Sequence, residues 1–130
     1  MWKAVETEEF GAWFESLDDD AKEDVVVKVE VLKSIGPMLG RPHADTLRGS
    51  KHSNIKELRV VSNGRPLRVF FAFDPKRQAI LLVGGNKEGD KDFYERMLPV
   101  ADRLFDEYLA ELRSESKKAD KEKKDGKRKR

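Results

Sequence analysis

The clearest pattern of apolar and polar positions lies between Ile55 and Phe73, IKELRVVSNGRPLRVFFAF, where two strand-like runs flank Asn63-Gly64. That dipeptide suits a two-residue type I′ turn, whose central residues both need φ > 0, so the stretch predicts a β-hairpin. The turn also fixes the register. Ser62 faces Arg65, Val60 faces Leu67, Arg59 faces Arg68, Leu58 faces Val69 and Glu57 faces Phe70. Successive strand residues point to opposite sides, so Leu58, Val60, Leu67, Val69 and Phe71 share a core face while Arg59 and Arg68 share the other.

Helical periodicity governs the chain before and after the hairpin. Trp2 to Val5 predicts a short first strand, after which Thr7 caps a helix with Glu8 and Glu9 in its first turn. Phe10, Trp13, Phe14 and Leu17 follow at i, i+3, i+4 and i+7, a stripe read as core and not as a cofactor box. Asp18-Asp19-Asp20 ends that helix and caps the next, whose stripe of Ala21, Val25, Val29 and Leu32 runs to Ile35. The run Val25-Val26-Val27 would suit a strand, but the caps and flanking charges favour helix. Gly36-Pro37 is the stop. From Asp90 or Asp92 onward, Phe93, Met97, Val100, Ala101, Leu104, Phe105, Tyr108 and Leu112 predict a long amphipathic helix. Pro99 should bend it or mark where its regular part begins.

The remaining stretches read as connections and one buried strand. Met38 to Asn54 is a long loop, broken by Gly40, Pro42, Gly49 and Ser50 and made basic by Arg41, His43, Arg48, Lys51 and His52. Asp74-Pro75-Lys76-Arg77 is a turn, and Ala79 to Val83 is an interior strand. With an even number of residues in that turn, Ile80 and Leu82 join the core face; Phe70, Leu81 and Val83 then lie on the arginine face, under the last helix. Gly84 to Gly89 predicts a flexible loop, since its spacing does not match the glycine-rich phosphate motifs. The order is β-α-α-β-β-β-α: an α+β fold with a small, mostly antiparallel sheet, two N-terminal helices and one C-terminal helix. Residues 1–113 form the domain. Residues 114–130, with Ala119 their single apolar residue, predict a charged, disordered tail.

Charge changes this picture more than composition does. The net charge of +2 divides into −6 over residues 1–39, +7 over 40–87, −4 over 88–113 and +5 over the tail. Positive charge gathered in the loop and sheet is the footprint of a surface for a polyanion, and the basic tail would add non-specific affinity for RNA. Two histidines and no cysteine leave no convincing metal site, and none is expected; no cofactor is expected either. No apolar run approaches the ~20 residues of a membrane span and no secretory leader is visible, so a cytoplasmic protein is the expectation.

Arg59 and Arg68, directly opposed, cost a sheet roughly 0.2–1 kcal/mol unless something relieves them. An anion bound between them would, and a guanidinium suits a phosphate's oxygens. The competing explanation is a structural ion pair with Glu57 or with an acid of the last helix.

The run from KELRVVSNGRPLRVFFAF through AILLVGG and Lys87 to FDEYL, preceded by GPMLGRPHADTLRGSKHSN, resembles the RelE/ParE toxin superfamily, most closely its HigB-like branch. The resemblance covers about residues 1–112 and rests on ELR at 57–59, RVFF at 68–71, the apolar strand into Gly84, and Lys87. It implies a compact RelE-like fold and the toxin of a type II toxin–antitoxin pair. Such a toxin cleaves messenger RNA on the ribosome without a metal and is held inactive by an antitoxin, here expected to be a helix-turn-helix protein. The ParE branch shares the fold but inhibits gyrase, and a non-catalytic RNA-binding or co-repressor protein is a third possibility. Under the nuclease reading the catalytic candidates are Arg59, Arg68, Lys87, Tyr94 and His52, with Arg48, Lys51, Lys56, Arg65 and Arg77 as RNA-binding candidates. The absence of any histidine after His52 departs from some HigB proteins and leaves the general acid open.

Overall fold

The computed structural model describes the backbone of residues 1–128 and side chains through Glu122. Five strands form one sheet in the order β1-β5-β4-β3-β2: β1 (Lys3–Glu6), β2 (Ala44–Thr46), β3 (Lys56–Ser62), β4 (Arg65–Phe73) and β5 (Gln78–Asn86). β1 runs parallel to β5 and every other pairing is antiparallel. Helices α1 (Glu8–Glu15) and α2 (Asp19–Ile35) cover one face, and α3 (Phe93–Arg128) covers part of the other.

The turn chemistry at Asn63-Gly64 does what the sequence predicts. Asn63 and Gly64 have φ of 50° and 78°, and β3 pairs with β4 so that Arg59 stands opposite Arg68. Leu58, Val60, Leu67, Val69 and Phe71 are buried together under α1 and α2 with Phe10, Val25 and Leu32. Both N-terminal helices start at the expected caps: Thr7 Oγ1 accepts from the Phe10 amide and Asp18 Oδ1 from the Ala21 amide.

Four expectations need correction. Part of the Met38–Asn54 connection is ordered as β2, which pairs Ala44 with Leu58 and adds a strand to the predicted series. Only three residues long, it falls below what periodicity detects. The Asp74 turn holds an odd number of residues, because Phe73 pairs with Ala79 and Ala72 with Ile80. Ala79 and Leu81 therefore join the α1/α2 core, and Ile80 and Leu82 face α3. A bulge between Phe70 and Phe71 then restores the original parity, setting Phe70 against Val83 and Arg68 against Gly85.

The third correction concerns Gly84 and Gly85, which belong to β5 and not to a loop. Each lacks a side chain because a ring occupies its place. A Cβ on Gly84 would overlap the Trp13 indole of α1, and one on Gly85 would stand 2.8 Å from Phe93 Cε1 of α3. The two neighbours thus admit an aromatic ring from each helical layer, on opposite faces of one strand. Finally, α3 contains Pro99 and stays helical through Arg128, so residues 114–128 form helix where no order was expected. Every side chain from Arg113 to Glu122 is exposed. Side chains from Lys123 onward and residues 129–130, also part of the expected tail, lie outside the described residues.

Candidate phosphate-binding site

The register places Glu57, Arg59 and Arg68 on the face that α3 only partly covers. Phe70, Ala72, Ile80, Leu82 and Phe93 fill the covered part. Where that apolar packing stops, the charged residues begin, and they converge on one carboxylate. Glu57 is buried, with its side chain 4% exposed. Its Oε1 lies 3.1 Å from Arg68 Nε and accepts a 2.6 Å hydrogen bond from the Tyr94 hydroxyl, while Oε2 lies 3.4 Å from an Arg59 Nη.

Arg68 is largely enclosed, its side chain 11% exposed, and besides its ion pair with Glu57 it donates a hydrogen bond through Nη1 to the Leu67 carbonyl. Arg59 is more open and reaches Asp45 of β2 at 3.4 Å, which Arg41 pairs with at 2.9 Å. Hydrogen bonding to Arg41 holds the Asp45 carboxyl below the usual range. Lys87, just past β5, sets its ammonium 5.3 Å from the centre of the Tyr94 ring. Burial, followed by the hydrogen bond to Glu57, pushes the Tyr94 phenol above its ordinary value and keeps it protonated.

Arg59, Arg68, Lys87 and Tyr94 are thus brought together, around a residue that sequence reasoning treated only as a rival explanation. Glu57 shares the parity of Arg59, which was visible in the sequence. Its burial was not, because that depends on where α3 lies. The repulsion between the guanidiniums is already relieved from within, by Glu57, so an outside anion is not needed to explain it.

The other candidates lie elsewhere. His52 and Lys51 bind Asp106 of α3, at 2.7 Å through Nε2 and 2.8 Å through Nζ. Asp106 is twelve residues beyond Tyr94, about 18 Å along an α-helix. Asp102 also accepts from the Lys51 and His52 amides, so this loop is tied down along α3 and away from the arginines. Arg65 pairs with Asp18 at the α2 cap, 2.9 Å away. Lys56 keeps the parity of Leu58, on the face opposite Arg59. Arg77 lies in the turn after β4 with its guanidinium over Trp2, and Arg48 is exposed. Among the described residues no group of histidines and carboxylates has the geometry to hold a metal.

A family model described as phage derived protein Gp49-like (DUF891) matches residues 12–106. Over 125 residues the chain is 46% identical to "Putative toxin HigB2" of Mycobacterium tuberculosis (strain ATCC 25618 / H37Rv), covering 95% of this chain. It spans 62% of that relative's length. It is also 44% identical over 99 residues to "Putative toxin HigB3" of the same organism, covering 75% of this chain and 85% of the relative. The fold matches that of a mutant E. coli RelE toxin in the free state, with a TM-score of 0.52 at 13% identity over 72% of this chain and 92% of the other. That likeness establishes a RelE-like fold.

Proposed function

The chain belongs to the Gp49-like family, and from that footing we propose that it is the toxin of a type II toxin–antitoxin pair, a ribosome-dependent messenger endoribonuclease acting in the cytoplasm. The observation that carries this reading is the gathering of Arg59, Arg68, Lys87 and Tyr94 around Glu57 at the rim of the sheet. The relatives' printed names and the fold support the toxin part of it.

The chemistry follows from the residue types. The ribose 2′-oxygen attacks the adjacent phosphorus and the bond to the 5′-oxygen breaks, leaving a 2′,3′-cyclic phosphate and a 5′-hydroxyl end. An arriving phosphate competes with Glu57 for the guanidiniums, and Arg68 and Arg59 then stabilise the charge that develops on its oxygens. The freed carboxylate of Glu57 accepts the 2′-hydroxyl proton. Tyr94, kept protonated, and Lys87 beside it are the donors for the departing 5′-oxygen. Arg48, Lys51, Lys56, Arg65 and Arg77 remain candidates for holding RNA outside this centre.

Internal neutralisation of both arginines favours a second reading, in which the cluster is structural and the protein inhibits gyrase without cutting RNA. Mapping transcript 5′ ends after induction separates the two. The nuclease reading expects new ends at fixed positions within codons, reduced about 10²–10³-fold by Arg68→Ala. Growth arrest with intact transcripts, or undiminished cleavage by a folded Arg68→Ala protein, would sink it.

A further inference from the structure

Midway along α3 a groove of about 480 Å³ opens between β1, the start of α1 and the helix. Its floor is apolar, made by Val5, Ile80, Leu104, Tyr108 and Leu112. Six glutamates rim it: Glu6, Glu8, Glu9, Glu107, Glu111 and Glu115. Among the described residues only Glu107 has a cationic partner, Arg103 at 3.0 Å. The field of this rim reaches the floor. Burial and the bond to Asp74 come first in raising the Tyr108 phenol far above its ordinary value, and the charges of Glu115 and Glu111 add to it.

So many like charges around an apolar floor leave the free protein with both repulsion and half-buried apolar surface at Val5, Tyr108 and Leu112. A cationic segment bearing apolar side chains would relieve both. The chain's own basic end meets only half of that requirement, because residues 114–130 offer no apolar side chain larger than Ala119. We propose that this groove docks a basic amphipathic segment of a partner protein, lysines and arginines engaging the glutamates while an apolar stripe seats on Val5, Tyr108 and Leu112. Under the toxin reading, on which only the partner's identity rests, that segment belongs to the antitoxin. Glu111 is seventeen residues beyond Tyr94, about 25 Å along α3, so the groove is separate from the arginine cluster.

The test titrates the full chain with a synthetic eighteen-residue helical peptide carrying a leucine stripe flanked by lysine and arginine, followed by fluorescence anisotropy. Saturable binding is expected, weakened at least tenfold by the double variant E111K/E115K and by scrambling the leucine stripe at constant charge. Equal binding by the variant, equal binding of the scrambled peptide, or no binding to the wild-type chain would each overturn the proposal. Retained growth arrest by E111K/E115K is expected as well, since neither glutamate belongs to the arginine cluster. Arrest absent in both proteins would count against the toxin reading, while the titration still decides the groove.

Discussion

The two faces of the sheet are built on opposite principles. Under α1 and α2 the strands present Leu58, Val60, Leu67, Val69, Phe71, Ala79 and Leu81, all buried and all apolar. Under α3 an equally dry core around Phe70, Ile80 and Leu82 gives way to ionised groups at both margins: the Glu57 cluster on one side, Asp74 with Tyr108 on the other. A single helix cannot cover a five-stranded sheet as two can. The uncovered margins are where charge is tolerated, and each buried charge there has been given partners, as the cost of an unpaired one demands. The face with two helices is sealed by apolar packing; the face with one ends in charged margins.

The sharpest way to break this contrast is at Glu57. Glu57→Ala leaves two opposed guanidiniums and the Tyr94 hydroxyl without their common acceptor. A loss of about 3–5 kcal/mol in denaturant unfolding is expected, the cost of stripping one partner from a buried charge cluster. A loss below about 1 kcal/mol would mean that the cluster is effectively solvated and that the α3 face is not organised around it.

Gly84 and Gly85 compare the faces directly, since each meets the ring of a different helical layer. On Gly84 a methyl would overlap several atoms of the half-buried Trp13 indole, which packs against the α1/α2 core. On Gly85 it meets the edge of Phe93, with the flexible end of Met97 next to it at 3.5 Å. Gly84→Ala should cost about 1–3 kcal/mol by overpacking, and Gly85→Ala distinctly less. Thermal unfolding of the two variants side by side checks the order; the reverse order would show α3 to be the more rigid layer.

The sequence carried the hairpin because Asn63-Gly64 specifies one turn, and the turn specifies every pair above it, including Arg59 with Arg68. It carried the hairpin's share of the α1/α2 core for the same reason, parity, while β5 presents Ala79 and Leu81 there instead of Ile80 and Leu82. What escaped were features set by distant parts of the chain. The bulge beside Phe71 is invisible where every residue of the strand is apolar, since AILLV has no polar member to mark the change of face. Gly84-Gly85 reads as a loop because the rings that explain it belong to the helical layers, Trp13 of α1 and Phe93 of α3, and their approach is set by packing. At the candidate site the arginine pair was legible. The closure of Glu57 and Tyr94 upon it was not, because it depends on where the first turn of α3 meets the sheet.

The far margin of the α3 face supplies the gentlest test. Asp74 is buried; burial pushes its carboxyl up, but bonds from the Tyr108 hydroxyl, the Gln78 amide and side chain, and the Lys76 amide together bring it below the usual range. A carboxyl lowered on folding binds fewer protons in the folded chain than in the unfolded one. Its contribution to stability is therefore complete above its unfolded value, 3.8, and is lost as pH falls through the lower folded value. Tyr108→Phe removes one of those donors and leaves the others, so at neutral pH it should cost about 1 kcal/mol. The gap between variant and wild type should then narrow on acidification below pH 3.8, as Asp74 takes up its proton in both proteins. Denaturant midpoints measured from neutrality into acid decide it: a gap that stays constant would assign the effect of the Tyr108 hydroxyl to its contact with the Gln78 side-chain amide, not to the charge it holds in place.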